Sequence, residues 1–142
     1  ERTHARITVD LEGTARAGGG LFLSARDFAR LGDLIRRGGA RDGKQIIPAD
    51  WIRDTTTGGS RHAWTTGNFA PWLPSGSYRN QWYQTGNADG AFFALGIHGQ
   101  WLFVNPRADL VIVKFSSQPN PVDDGLKQMN MALCDAIAEI AG

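Results

Sequence analysis

The chain has 142 residues, of which 42% are apolar and 20% are charged, a composition that is ordinary for a globular protein with one core. Its 15 Lys and Arg residues nearly balance its 14 Asp and Glu residues and are scattered along the chain, which argues against binding to nucleic acid or to an anionic membrane. No apolar run approaches the ~18 residues of a membrane span, and the single cysteine, Cys134, excludes an internal disulfide. We therefore expect one soluble domain and leave its compartment open, with the cytoplasm slightly favoured over the periplasm.

The first third of the chain predicts a short extended piece, a glycine-rich passage and a helix. Ser24 stands three residues before Asp27, which resembles a helix-capping box, and apolar residues follow at helical spacing. Two glycines then end the helix. The apolar positions are Phe28, Leu31, Leu34 and Ile35, and the glycines are Gly38 and Gly39.

The middle third predicts a second, short helix and a long loop. Pro48 suits the first position of the helix, which carries Trp51 and Ile52. From Thr55 to Ser77 the composition changes to Thr, Gly, Ser and Pro with interspersed aromatics. A loop of this length is unusual unless it is functional or anchored, so we expect it to shape a pocket, with Trp64 and Trp72 as candidate lining residues.

The last part of the chain predicts antiparallel strands and a final helix. We expect strands at residues 78–85, 91–98, and 101–104 continuing through a turn to 110–116, because short, turn-prone separators favour hairpins. The apolar run of residues 110–113 predicts a strand covered on both faces. The final helix begins at 123–124, and its apolar positions should lie across the sheet. These positions are Leu126, Met129, Leu133, Ile137 and Ile140.

Most candidate chemical groups have a structural role that accounts for them. No serine is followed three residues later by lysine, and Tyr78-Arg79-Asn80 only superficially matches a Tyr-x-Asn catalytic element, so strand packing is favoured there. Cys134 is expected to be a buried, unreactive thiol. The three histidines, His4, His62 and His98, are far apart and no Cys or carboxylate shows ligand spacing to them. We therefore expect no metal and no cofactor.

The stretch from Ala94 to Gln100 is the strongest candidate for one wall of an active site. It reads as a buried strand that ends in Gly96-Ile97-His98-Gly99, and glycine weakens a strand unless another backbone or a ligand must come close. Two interpretations stay open from this stretch alone. Either the glycines merely permit a tight hairpin, or the strand offers a backbone N–H to the carbonyl of a substrate.

Taken together, these segments resemble the C-terminal portion of the serine β-lactamase superfamily, in its class C-like and esterase branch, and are closest to the 6-aminohexanoate-dimer (nylon oligomer) hydrolases. The resemblance spans nearly all of the chain and rests on ordered, spaced motifs. These are the glycine-rich lead and helix at 18–32, Gly43 to Ile52, Tyr78 to Trp82, and Gly96 to Gln100.

The resemblance implies an active site of three parts: Ser-x-x-Lys, a Tyr-x-Asn or Tyr-x-Ser element, and a strand that reads Lys-Thr-Gly in β-lactamases. Only the third part has a counterpart here, and Ala94-Leu95-Gly96 stands in place of Lys-Thr-Gly. That departure favours an esterase or amidase over a β-lactamase. By the same resemblance the Ile97 backbone N–H is an oxyanion-hole donor, and Gly96, His98 and Gly99 contact the substrate.

The resemblance also implies an α+β fold with an antiparallel sheet flanked by helices, of which residues 1–142 form the C-terminal part. We expect this chain to contribute three sheet strands, to expose a strand edge, and to be inactive without the N-terminal part of the same fold. The chain starts at Glu1 without an initiator methionine, which agrees with a segment of a longer polypeptide. The expected ligand is a small amide or ester; the alternative is a non-catalytic α/β domain that binds a ligand or partner.

Overall fold

The fold is organised around a five-stranded antiparallel sheet with one helix packed on each face. The computed structural model describes residues 5–16 and 18–142, so the interpretation of His4 lies outside the described residues. Before the sheet come two short strands, β1 (Arg6–Ile7) and β2 (Leu21–Phe22), which pair with each other as an antiparallel ribbon. Most of their apolar side chains are exposed.

Helix α1 (Ala25–Arg36) has the predicted caps. The Asp27 N–H donates to Ser24 Oγ at 3.1 Å, and Ser24 Oγ donates to the Asp27 carboxylate at 2.8 Å. Gly38 and Gly39 follow with positive φ. The capping-box prediction and the end of the helix are therefore confirmed, because both depend on local backbone needs.

A short ribbon and two helices lie between α1 and the sheet. The ribbon is formed by β3 (Ala40–Arg41) and β4 (Lys44–Gln45), and the helices are α2 (Ala49–Thr57) and α3 (Arg61–Thr65). The prediction of an unstructured loop over 55–77 is wrong at its start, since α2 continues to Thr57 and Ser60 caps α3 through the Ala63 N–H. Pro48 is the residue before α2 and not its first residue.

The sheet has the order β5-β6-β7-β8-β9, all antiparallel. The strands are β5 (Ser77–Arg79), β6 (Trp82–Gln84), β7 (Phe92–Gly96), β8 (Gln100–Asn105) and β9 (Leu110–Lys114). The expected single strand over 78–85 is wrong, because Asn80 and Gln81 adopt positive φ and turn the chain into a hairpin. The described part of the chain therefore holds five sheet strands where three were expected.

Two cores lie on opposite faces of this sheet. One is formed with α1 around Phe92, Leu102 and Val104, and the other lies around Phe93, Trp101 and Phe103. Strand β9 sends Val111 to the first core and Ile112 to the second, and both side chains are partly buried, so each face of the strand is partly covered. Among the described residues no strand pairs with the outer edge of β9.

Helix α4 (Asp124–Ala141) covers the second face, and the side chain of Asp123 caps it by accepting from the Leu126 N–H at 3.0 Å. Its start agrees with the prediction, but its orientation does not. The residues buried against the sheet are Asn130, Met131, Cys134 and Ala138, whereas Met129, Leu133 and Ile140 are exposed. No helix of the described residues has the length and hydropathy needed to cross a membrane.

Candidate functional site

The chain turns sharply where β7 ends. Gly96 is the last residue of the strand and pairs with Gln100, and Ile97–Gly99 form one 3₁₀ turn between them. His98 and Gly99 have φ values of +57° and +77°. A Cβ at Gly99 would overlap the Gln118 side chain. Gly99 is therefore favoured by its backbone conformation, and a side chain there would also displace the flexible end of Gln118.

His98 ties this turn to the segment that leads into α4. Its N–H donates to the Pro121 carbonyl at 3.0 Å, and its own carbonyl accepts from the Gln118 N–H at 3.3 Å. Its ring Nδ1 lies 2.8 Å from the Gln118 carbonyl oxygen. His98 thus holds the 118–121 segment against β7.

A cavity of about 170 Å³ opens between this turn and the first turns of α4. Gly96, Ile97 and Gly99 line it, whereas His98 does not, so three of the four predicted site residues meet there. The Ile97 side chain is 65% exposed. The apolar walls of the cavity are Phe69, Tyr83, Leu95, Trp101, Pro121 and Val122.

The polar lining of the cavity comes mainly from α4 and the residues before it. Lys127 Nζ lies 2.6 Å from the Asp124 carboxylate and 4.6 Å from the ring centroids of Phe69 and Trp72. Asp123 accepts the Leu126 N–H, and Asn130 lies at the buried end, with 3% of its surface exposed. The ammonium of Lys127 is thus held by a carboxylate and by two aromatic faces.

The aromatic residues of the 55–77 segment line the cavity or pack behind its wall. Phe69 lines it, but Trp64 and Trp72, the two predicted lining residues, do not. Trp64 is buried and its indole N–H donates to the Leu73 carbonyl at 2.9 Å. Tyr83 stacks on Phe93 with ring centroids 5.2 Å apart. Burial, with a smaller contribution from Tyr78, raises the pKa of the Tyr83 phenol, so it stays protonated near neutral pH.

The Tyr78-Arg79-Asn80 element is hydrogen-bonded to α2 through the side chains of Arg79 and Asn80. Asn80 Nδ2 donates to the Asp54 carboxylate at 2.9 Å and to Thr55 Oγ1 at 3.0 Å. Arg79 donates to the same carboxylate at 2.8 Å, and this bond, followed by that of Asn80, lowers the pKa of Asp54. These contacts agree with the structural interpretation of the element.

The last two predictions concern the single cysteine and a possible metal site. Cys134 is 5% exposed, and burial followed by repulsion from Asp135 raises the pKa of its thiol to about 11, as expected for an unreactive cysteine. Within residues 5–16 and 18–142, no group of three or more His, Cys, Asp or Glu side chains is arranged to hold a metal ion.

Lys127 and Asn130 were not predicted from the sequence as lining residues. Both lie on the face of α4 that packs toward the sheet, three residues apart. The prediction had placed the more apolar stripe of the helix against the sheet instead. The signal was present in the spacing of residues 127, 130, 131, 134 and 138, which also follows one helical face. It was hidden because two of these five side chains are polar.

Comparisons with known proteins agree with the arrangement of strands and helices. The sequence profile described as Beta-lactamase matches residues 2–135. The chain is 45% identical, over 117 residues, to the 6-aminohexanoate-dimer hydrolase of Paenarthrobacter ureafaciens, a match that covers 82% of this chain and 30% of that protein.

A solved structure gives the same result for the fold. The "Putative 6-aminohexanoate-dimer hydrolase" from Bacillus anthracis superposes with a TM-score of 0.76 at 36% identity, over 94% of this chain and 33% of that one. This chain therefore spans about a third of the length of these relatives. Its sequence and its fold together show that the chain belongs to the beta-lactamase family of hydrolases and resembles the nylon oligomer hydrolases.

Proposed function

We propose that this chain forms the oxyanion side of the active site of a serine hydrolase that cleaves amide or ester bonds. In this proposal a serine oxygen attacks the substrate carbonyl and forms an acyl-enzyme, and the leaving amine or alcohol departs with a proton. Water then releases the acid and restores the serine. The serine and its lysine belong to protein outside these 142 residues, since Ser-x-x-Lys does not occur within them.

The observation that carries the proposal is the position of Ile97. It directly follows β7, its side chain is exposed, and it borders the cavity. A backbone N–H at such a place can stabilise the negative charge that develops on the substrate oxygen. Gly96 and Gly99 let the chain pass close to this point, and His98 is proposed to act beside it.

The type of substrate follows from the side chains of β7. Leu95 lines the cavity, and Ala94 packs against the core on the α1 side, so this strand presents no cation to a carboxylate. The proposal is therefore an amidase or esterase, similar to a 6-aminohexanoate-oligomer hydrolase or a carboxylesterase. A β-lactamase is disfavoured on the same ground.

Two surfaces fit the proposed partner, which is the remaining part of the same fold. Strand β9 ends the sheet and has no strand partner on its outer edge among the described residues. The outer side of α4 presents Met129, Leu133 and Ile140, which are 59%, 53% and 88% exposed. Unpaired strand edges and contiguous apolar surface are both features that partner segments cover.

The experiment uses a chimera. The 142-residue chain replaces the matching segment of the Paenarthrobacter ureafaciens relative, and hydrolysis of the 6-aminohexanoate dimer is measured. Ile97→Pro, which removes the N–H, should lower kcat about 10²–10³-fold. Ile97→Ala keeps the N–H and is the matched control, which should retain most of the activity.

A fluorophosphonate probe completes the test. It should label the chimera but leave the 142-residue chain unlabelled, and labelling of the chain alone would refute the claim that the nucleophile lies elsewhere. Equal kcat values for the Ile97→Pro and Ile97→Ala chimeras would overturn the oxyanion role. A folded chimera that binds ligand but is neither labelled nor active would support the alternative, a non-catalytic binding domain.

A further inference from the structure

The buried end of the cavity contains an unsatisfied hydrogen-bond donor. Asn130 is 3% exposed, lines the cavity, and its Nδ2 has no hydrogen-bond partner in the part of the chain that the structure describes. Buried polar groups are nearly always paired in folded proteins, and an unpaired one calls for a reason. Nδ2 itself is closed off from the cavity in this structure, so an acceptor oxygen brought by a ligand would supply the missing partner once the carboxamide turns toward the cavity.

The two charged side chains of the cavity are already engaged. Lys127 Nζ is held by Asp124, and Asp123 accepts the Leu126 N–H. The other polar side chains of the lining are Gln118 and Tyr83, and the remaining walls are aromatic and aliphatic. Asn130 is the most deeply buried of these polar residues, so its carboxamide is well placed to orient the inner end of a ligand, as convergent polar groups do in apolar pockets.

The dimensions of the cavity limit the ligand to a short group. Its volume is about 170 Å³, whereas sites for complete small-molecule ligands occupy roughly 300–1,000 Å³. A chain of a few methylene groups with one polar end fits this space. The other end would extend past Gly96 and Ile97 toward the oxyanion position.

The charge of the lining selects among polar ends. Asp123 and Lys127 are its two charged side chains, and the Lys127 ammonium is already paired with Asp124, so the cavity offers an anionic ligand no free cation. A carboxylate would enter an apolar site without a free cation, which costs more than entry of a neutral amide. An ammonium end only donates hydrogen bonds, so it would leave Asn130 Nδ2 without an acceptor.

We infer that Asn130 is a specificity-determining residue that binds the carbonyl oxygen of an uncharged amide at the end of a short aliphatic group. The inference rests on the proposed function in one respect, namely that this group is the limb of an oligoamide or amide-bearing ester whose scissile carbonyl lies at Ile97. Binding of the limb itself does not require hydrolysis.

The test measures equilibrium binding to the 142-residue chain by NMR. Three probes of equal length are titrated: pentanamide, pentanoate and pentylammonium. Pentanamide should bind about tenfold more tightly than either charged probe, as expected for one added hydrogen bond. It should also shift the side-chain NH₂ resonance of Asn130.

Variants separate recognition from structure. Asn130→Leu should lose the tenfold preference for pentanamide and yet raise Tm by a few degrees, because an unpaired buried donor is removed. Asn130→Ala provides a second variant without the donor in case leucine does not fit. Gln128→Leu is a comparable exchange of an amide side chain for leucine at an exposed position of α4 and should change neither quantity.

Three results would overturn the inference: equal affinity for the three probes, an unshifted Asn130 NH₂ resonance, or unchanged preference in both Asn130 variants. None of these readouts depends on catalysis, so the outcome is independent of the chimera assay. Loss of activity in the Ile97→Pro chimera together with equal probe affinities would support the proposed function and reject the role of Asn130.

Discussion

The two faces of the sheet are built differently, although the same strands supply both. The face under α1 is mainly aliphatic and tightly packed: a Cβ added at Gly32 would lie 2.7 Å from Val111 and 2.8 Å from Leu102. The face under α4 is richer in aromatic residues and includes the cavity, the polar pair Lys127 and Asn130, and a helix with exposed apolar residues on its outer side.

This difference separates stability from recognition. Close packing without voids gives a rigid helix–sheet layer, and the α1 side is packed in this way around Phe92 and Leu102. On the α4 side, the rings of Phe69, Tyr83 and Trp101 border a cavity beside Gly96 and Ile97. The α1 face therefore fixes the strands, and the α4 face offers the pocket.

The largest expected effect compares two neighbouring residues of β7 that point to opposite faces. Phe93→Ala and Phe92→Ala should each lower the free energy of unfolding by about 3–5 kcal/mol. Phe93 should cost more, because it stacks on both Tyr83 and Trp101, and each aromatic pair contributes roughly 0.5–1.5 kcal/mol beyond burial. Urea unfolding measures both. A greater loss for Phe92→Ala would reverse the comparison.

A smaller effect compares the same exchange in the two covering helices. Gly32→Ala in α1 should destabilise the chain by a net of about 1–2 kcal/mol, since overpacking exceeds the gain in helix propensity. Gly125→Ala in α4 meets only the Asp123 carboxylate, at 3.6 Å, and should stabilise by less than about 1 kcal/mol. Thermal unfolding of the two variants should therefore shift Tm in opposite directions; a shared direction would show that the two helices are packed alike.

The elements that were predicted from sequence are those with local causes. Ser24 and Asp27 cap α1 through their own backbone and side chains, and Asp123 caps α4, so neither needs distant partners. The family resemblance also indicated the antiparallel sheet with its flanking helices. The hairpin at Asn80 was missed because its positive φ is stabilised by Asp54 and Thr55, which lie about 25 residues earlier.

The candidate site was predictable only in part, for a related reason. The glycines around Ile97 marked the strand end, because glycine within a strand usually indicates a bend or the close approach of a backbone or ligand. Asn130 and Lys127 were not found, because a polar residue within a helix normally faces water, and only the tertiary structure shows that this face packs toward the sheet. The apolar stripe with Leu133 was predicted to face the sheet because apolar helix residues are normally buried.

The smallest expected effect tests that stripe. In the 142-residue chain, Leu133→Ala should change the free energy of unfolding by less than about 0.5 kcal/mol, because its side chain is already 53% exposed. Met131→Ala, the matched change on the covered side of α4, should cost about 2–5 kcal/mol. If the rest of the hydrolase covers the stripe, as proposed, Leu133→Ala should lower Tm clearly in the chimera and hardly at all in the chain alone. A large loss of stability in the chain alone would mean that Leu133 is already packed. No loss of stability in either protein would remove α4 from the proposed interface and leave the edge of β9 as its remaining contact.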